Sequence, residues 1–360
     1  MTAGRLRARR RRRIGVLLVV GLCCVFAALA LRPSSGRAPG AKAIGTATSA
    51  PSTTQAPPST VARRAKDPGS LAKPGTYPVG TVDLGIVEPG APSRSLPTEV
   101  WYPAMWTAAG ATPDRTGGPY PLLVFSQGYD VAVGAYQGLL QDWASAGFVV
   151  AAPRYPHTSP SEPAALDEAD IVNHPADLRF VLATLLRSAG TPGATLSGLI
   201  DSDQVGLVGH SDGGDVSLAV ADNSCCRDSV VKAVAVLSGA ELTSFGGRYF
   251  AGPPLPLLVV QGSADTVNVP ACSTQIYDSA PSPKWYLDLV GAEHYPPYIG
   301  AGEDHSIVAS VVTDFFDLEL RGQAAAATAM VAQGNVPQVA FLTSGPSAPP
   351  APGACPGAPS

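Results

Sequence analysis

Residues 207–216 read LVGHSDGGDV: an apolar run ends, and Ser211 falls between Gly209 and Gly213, with Gly214 beyond. A serine hydroxyl is a poor nucleophile until a neighbouring base takes its proton. The Gly-x-Ser-x-Gly pattern is weak evidence by itself in a chain with 38 glycines among 360 residues. It acquires meaning if a histidine can serve as base and a carboxylate can fix that histidine's tautomer.

The chain offers five histidines. His210 lies inside the motif, and its side chain is expected to point away from Ser211 and pack. His157 falls in a loop after FVVAAP, His174 at a helix start, and His305 ahead of the final helix as a cap. His294, in LVGAEHYPPY, follows the last strand-like run in a glycine-flanked turn and is the expected general base. Asp265, in GSADTVNVP, follows LPLLVVQ and is the expected acid. Glu293 adjoins His294, and adjacent side chains diverge; Asp288 sits within a strand pattern; Asp201 and Asp203 precede the motif in loop-like sequence.

An attacked carbonyl develops negative charge, which backbone N–H groups can stabilise. The N–H of Asp212, next after the serine, is one expected donor. The N–H of Tyr129 in SQGYD is the other, with Gly128 allowing close approach.

These residues need a scaffold that gathers them at one edge. Strand-like runs occur at TVDLGIV (81–87), TEVWYP (98–103), PLLVFS (121–126), FVVAAP (148–153), QVGLVG (204–209), VKAVAVL (231–237), LPLLVVQ (255–261) and KWYLDLV (284–290). Several are apolar without alternation, as in strands covered on both faces. Helical periodicity marks 175–187 and 306–321, and a helix is expected to start just after Ser211. Strand-then-helix repetition predicts an α/β domain with a mostly parallel eight-stranded sheet and helices on both faces. The early strands lack intervening helices, so the sheet is expected to begin antiparallel. Ser211, Asp265 and His294 each fall just past a strand, at the carboxyl edge where α/β folds bind ligands.

Residues 1–31 are a separate object. Arg5, Arg7 and Arg9 to Arg13 precede an apolar run from Ile14 to Leu31. That pattern predicts a signal peptide, cleaved near Ala28–Ala30, or a retained membrane anchor. Residues 32–73 are rich in Pro, Ser, Thr and Ala and read as a disordered linker. Residues 74–322 form the expected catalytic domain, and 323–360 an Ala/Pro-rich disordered tail. All 28 acidic residues lie beyond the first 31 positions, which hold seven of the 24 Lys and Arg. The remainder is acidic, which argues against nucleic acid as a partner. No cysteine spacing suits a zinc site. In an oxidising compartment, Cys225 or Cys226 is expected to bridge to Cys272, leaving the other for Cys355.

The segments YPVGTVDLGIVEP, SLPTEVWYPA, YPLLVFSQGYD, NHPADLRFVLATLL, VGLVGHSDGG, VVQGSADTVNVP and LVGAEHY resemble the α/β-hydrolases called predicted dienelactone hydrolases, relatives of platelet-activating-factor acetylhydrolase, chlorophyllases and cutinase-type esterases. The chain order Ser, Asp, His is also that of α/β-hydrolases. The resemblance spans roughly residues 74–321. It implies a carboxylester hydrolase needing no metal or organic cofactor. It also implies Ser211 as nucleophile, Asp265 as acid, His294 as base, and Tyr129 and Asp212 as oxyanion donors. Gln127 stands where the family usually has histidine, and Asp212 where a large apolar residue or Arg often follows the nucleophile.

The expected function is an exported serine esterase acting on small-molecule or lipid-like esters. It would touch membrane through the N-terminal segment if that segment is retained. The sequence leaves the oligomeric state open. Two alternatives stand beside it: an acyltransferase or peptidase with the same triad, and an inactive tethered binding module.

Overall fold

The computed structural model describes residue 71 and residues 73–356. The chain divides into residues 1–63 and 64–360, and every described residue belongs to the second unit. The basic block with its apolar run, and the linker except for Leu71 and Lys73, lie outside the described residues. Among the described residues, no helix is long and apolar enough to cross a membrane.

The strands are β1 (Val79–Leu84), β2 (Val87–Glu88), β3 (Arg94–Ser95), β4 (Thr98–Pro103), β5 (Ala108–Ala109), β6 (Tyr120–Ser126), β7 (Val149–Pro153), β8 (Ile200–His210), β9 (Val231–Leu237), β10 (Leu257–Gly262), β11 (Lys284–Leu289) and β12 (Ala340–Thr343). The α-helices are α1 (Gln137–Ser145), α2 (His174–Ala189), α3 (Asp212–Asp222), α4 (Pro270–Ser279), α5 (Pro296–Ile299), α6 (Glu303–Glu319) and α7 (Ala324–Gly334). β2 and β3 form a separate two-stranded ribbon. The other strands make one sheet in the order β12-β11-β10-β9-β8-β6-β7-β4-β1-β5. β7, β6, β8, β9, β10 and β11 run parallel to their neighbours in turn. β4 is antiparallel to both β7 and β1, as the helix-free start of the sequence predicts.

Strand alternation sends successive side chains to opposite faces. In β6, Leu122 and Val124 enter one core while Leu123 and Phe125 enter the other. The first core is closed by Leu178, Val181, Leu182 and Leu185 of α2, Val216 of α3 and Ile276 of α4. The second is closed by Leu140 and Trp143 of α1, and by Val308, Val312, Phe315 and Phe316 of α6. Continuous apolar runs therefore mark strands buried on both sides.

Three expectations about the fold need correction. Among the described residues the sheet has ten strands where eight runs were legible, because β5 and β12 are short additions at its edges. The stretch 323–360 is not a featureless tail through its described residues. Its alanine run forms α7, as alanine's high helix propensity favours. Ala326 and Met330 of that helix are buried. β12 then pairs antiparallel with β11, with Leu289 opposite Ala340 and Tyr286 opposite Thr343.

The same return path replaces the expected bridge from Cys225 or Cys226 to Cys272. Cys272 bonds Cys355, with Cα atoms 4.4 Å apart, and Cys225 bonds Cys226. Beyond β12, Tyr277 donates its hydroxyl to the Gly345 carbonyl (2.7 Å), and Ala348 N–H donates to Asp278 (2.8 Å). These contacts lead the chain along α4 to Cys272, a proximity with no local sequence signature. Cys225 and Cys226 lie in a turn held by Asn223, whose side-chain oxygen accepts the Cys225 N–H at 3.0 Å.

Candidate active site

Ser211 lies between the last residue of β8 and the first of α3. Its φ of 56° is in the left-handed region, unusual for a residue with a Cβ. Such a conformation costs about 1–3 kcal/mol and persists where the surroundings enforce it. Here the Ser211 N–H donates to the Leu237 carbonyl of β9 (2.9 Å), while the Ser211 carbonyl accepts from Gly214 (2.8 Å) and Asp215 (3.1 Å). The turn leaves no room for side chains on its flanks. A Cβ at Gly209 would run into the Gly213 carbonyl, and one at Gly213 into the Ser126 carbonyl of β6.

Parallel pairing aligns the carboxyl ends of the central strands: Ser126 is opposite Gly209, His210 opposite Leu237, and Gly262 opposite Leu289. Asp265 follows β10 and His294 follows β11, so both loops open at the edge that carries Ser211. His294 Nε2 lies 2.9 Å from Ser211 Oγ, and His294 Nδ1 lies 2.6 Å from Asp265 Oδ2. The three residues are 8%, 2% and 3% exposed in the order Ser211, His294, Asp265, which limits competition from water. With Asp265 ionised, its oxygens can only accept, so Nδ1 carries the proton and Nε2 presents a lone pair to the serine hydroxyl.

The second oxygen of Asp265 accepts from the N–H groups of Val267 (2.8 Å) and Asn268 (3.0 Å). Gln261 Nε2 approaches Asp265 Oδ2 at 3.3 Å, and Gln261 Oε1 accepts from Ser273 Oγ at 2.6 Å. Asn268 donates its amide to the Ser238 carbonyl (2.6 Å). Sequence reasoning passed over Gln261 and Asn268. A glutamine closing the otherwise apolar strand LPLLVVQ was the available signal, because a buried amide needs partners.

Gly128 lies against the turn that carries the serine; a Cβ there would come within 3.1 Å of Ser211 Cβ. Tyr129 is the next residue along that loop, and Asp212 opens α3. Asp212 thus adjoins the serine in the chain, and Tyr129 follows the glycine that packs against it. Asp212 and Asp215 stand in the first turn of α3, where the helix dipole favours negative charge. Burial, and then the Asp212 carboxylate, push Asp215 well above the usual carboxylate range. Asp215 Oδ1 accepts the Ala240 N–H at 2.5 Å.

The other histidines lie elsewhere. His174 begins α2 and stacks on Tyr155, with centroids 4.3 Å apart. His157 Nδ1 contacts the Ala165 carbonyl at 2.9 Å, and His305 sits in the first turn of α6 rather than capping it. His210 is fully buried and bonded away from the serine hydroxyl. Exposed Val267 follows the acid, and exposed Tyr295 and Ile299 follow the base. Among the described residues, no group of three or more His, Cys, Asp or Glu is placed to hold a metal ion.

Comparison with known proteins adds two findings. A family model described as Chlorophyllase matches residues 105–238, which include Ser211 but neither Asp265 nor His294. The solved structure of a ferulic acid esterase from Streptomyces cinnamoneus matches with a TM-score of 0.57 and 24% sequence identity, covering 70% of this chain and 93% of that one. No curated protein matches the chain in sequence.

Proposed function

This chain has the α/β-hydrolase fold, and from that premise we propose that it is a serine carboxylester hydrolase acting through an acyl-enzyme. The observation that carries the reading is the hydrogen-bonded line from Ser211 through His294 to Asp265, at 2.9 and 2.6 Å. The Chlorophyllase match and the fold of the ferulic acid esterase support carboxylic esters as the substrate class. The exposed apolar side chains beside the acid and base suit a small or lipid-like ester.

In the proposed reaction, Ser211 Oγ attacks the ester carbonyl carbon while His294 Nε2 takes the hydroxyl proton. The carbonyl oxygen becomes an oxyanion facing the N–H groups of Tyr129 and Asp212. The intermediate collapses, the carbon–oxygen bond to the alcohol breaks, and His294 gives its proton to the departing alkoxide. A water then attacks the acyl-serine as His294 removes its proton. Breaking the acyl–Oγ bond releases the carboxylic acid, and the proton returns to Ser211. Asp265 stays ionised and offsets the charge on the imidazolium.

We place this enzyme outside the cytoplasm. The two disulfides among the described residues suit an oxidising compartment, and the basic-then-apolar segment 1–31 would direct export.

Turnover of p-nitrophenyl acetate and butyrate tests the catalytic reading. Ser211→Ala should reduce it to background, and a fluorophosphonate should label the wild type but not that variant. Unchanged turnover in Ser211→Ala would overturn the proposal.

A further inference from the structure

The loop after β6, carrying Tyr129, and the loop after β11, carrying His294, must hold fixed positions relative to each other. Three strands, β8, β9 and β10, lie between β6 and β11 in the sheet. Strand pairing therefore gives these loops no direct connection. A buried side-chain pair does. Gly128 N–H donates to Tyr136 Oη at 3.2 Å. Tyr136 Oη lies 2.8 Å from His210 Nδ1, and His210 Nε2 lies 2.9 Å from the His294 carbonyl oxygen.

Each proton in this line has one consistent place. A carbonyl oxygen can only accept, so His210 Nε2 carries hydrogen. A neutral ring then accepts at Nδ1, so Tyr136 donates there and accepts from Gly128. The neutral form fits the surroundings: burial, and then the adjacent His294, hold His210 well below the usual histidine range. Both His210 and Tyr136 are fully buried. The His210 ring packs 4.7 Å from the His294 ring and 4.5 Å from that of Tyr298. The backbone at Gly128 is pressed onto the pair; a Cβ there would meet His210 Nδ1 and Tyr136 Oη, each at 3.3 Å.

We propose that His210 is a positioning residue which, with Tyr136, ties the oxyanion loop to the loop of the catalytic base through the residue before the nucleophile. The inference rests on the roles of Ser211, His294 and Tyr129 given above. The pair touches no reacting atom. It sets where the Tyr129 N–H and the His294 imidazole stand relative to Ser211 Oγ. Displacements well under an ångström matter there, since about 1 Å can cost about 10²-fold in rate.

Steady-state kinetics on p-nitrophenyl butyrate, with thermal unfolding in parallel, test it in His210→Leu, His210→Gln, Tyr136→Phe and the His210→Leu/Tyr136→Phe double variant. His210→Leu should lower kcat by about 10- to 100-fold with KM within about twofold. His210→Gln, whose amide nitrogen can reach the Nε2 position, should recover most of that loss. Tyr136→Phe should lower kcat about tenfold, and the double variant should be little worse than His210→Leu alone.

Three results would overturn the proposal: equal kcat losses in His210→Leu and His210→Gln, a lowered unfolding midpoint with unchanged kcat, or fully additive losses. If His210→Leu does not fold, His210→Gln and Tyr136→Phe decide, with near-wild-type kcat in the first and a drop in the second expected. If the wild type hydrolyses no ester, the esterase reading fails separately. The rate of fluorophosphonate labelling of Ser211 in the same variants then reads the positioning role.

Discussion

Replacing Asp265 by asparagine should leave the fold intact and remove nearly all turnover. Asp265 Oδ1 accepts two backbone N–H groups, from Val267 at 2.8 Å and Asn268 at 3.0 Å. An asparagine must keep its carbonyl oxygen toward those two donors. Its NH₂ group then faces His294 Nδ1, where Oδ2 now stands at 2.6 Å. Two N–H groups cannot face each other, so the imidazole changes tautomer and accepts at Nδ1. The proton moves to Nε2, which can no longer take one from Ser211. Loss of the correct tautomer in a triad of this kind lowers kcat by about 10⁴-fold, equivalent to about 5 kcal/mol of barrier. The assay is single-turnover acylation by p-nitrophenyl butyrate, with unfolding curves for wild type and variant. A loss below about tenfold, with the fold unchanged, would refute the tautomer argument and the role given to Asp265.

Other outcomes follow from packing, crosslinking and buried charge. Gly213→Ala should abolish activity and destabilise by at least about 3 kcal/mol, measured by denaturant unfolding, because the new methyl meets the Ser126 carbonyl. Cys355→Ser opens a link between residues 83 apart, and it should lower stability by up to about 4–5 kcal/mol in the chain-entropy picture, read as a reduced unfolding midpoint. Burial, with Asp317 beside it, pushes Asp314 up to about 7. Its unfolded value is about 3.9, so the folded state binds the extra proton and loses stability as pH rises from about 4 through 7. Asp314→Asn should therefore raise stability at pH 8 by about 1–2 kcal/mol, allowing for partial screening by water, with no gain at pH 4.

Much of the sheet was legible because its strands are apolar on both faces. TEVWYP and VKAVAVL match β4 and β9 residue for residue. The helix read at 175–187 extends by a turn's worth of residues to His174–Ala189. That Ser211, Asp265 and His294 meet at one sheet edge was legible from chain order and from their places after strands. What escaped depends on tertiary return. Residues 340–343 carry too few residues for a strand signal, and β12 exists because β11 offers an open edge. The Cys272 partner follows from that return rather than from spacing. The Tyr136–His210 line was equally hidden, since its members lie 74 positions apart and show no shared pattern.

The pairing of β12 with β11 bears on how the molecule tolerates reduction. β12 occupies hydrogen-bonding positions that would otherwise face solvent along a hydrophobic strand, and the bond from Cys355 to Cys272 holds the segment just beyond it. In a reducing buffer that restraint is lost, and fraying of residues 340–343 would bare a template to which another molecule can add its own strand. Concentration-dependent self-association after thiol treatment is the expected result, and truncation before residue 340 should produce the same association without any thiol.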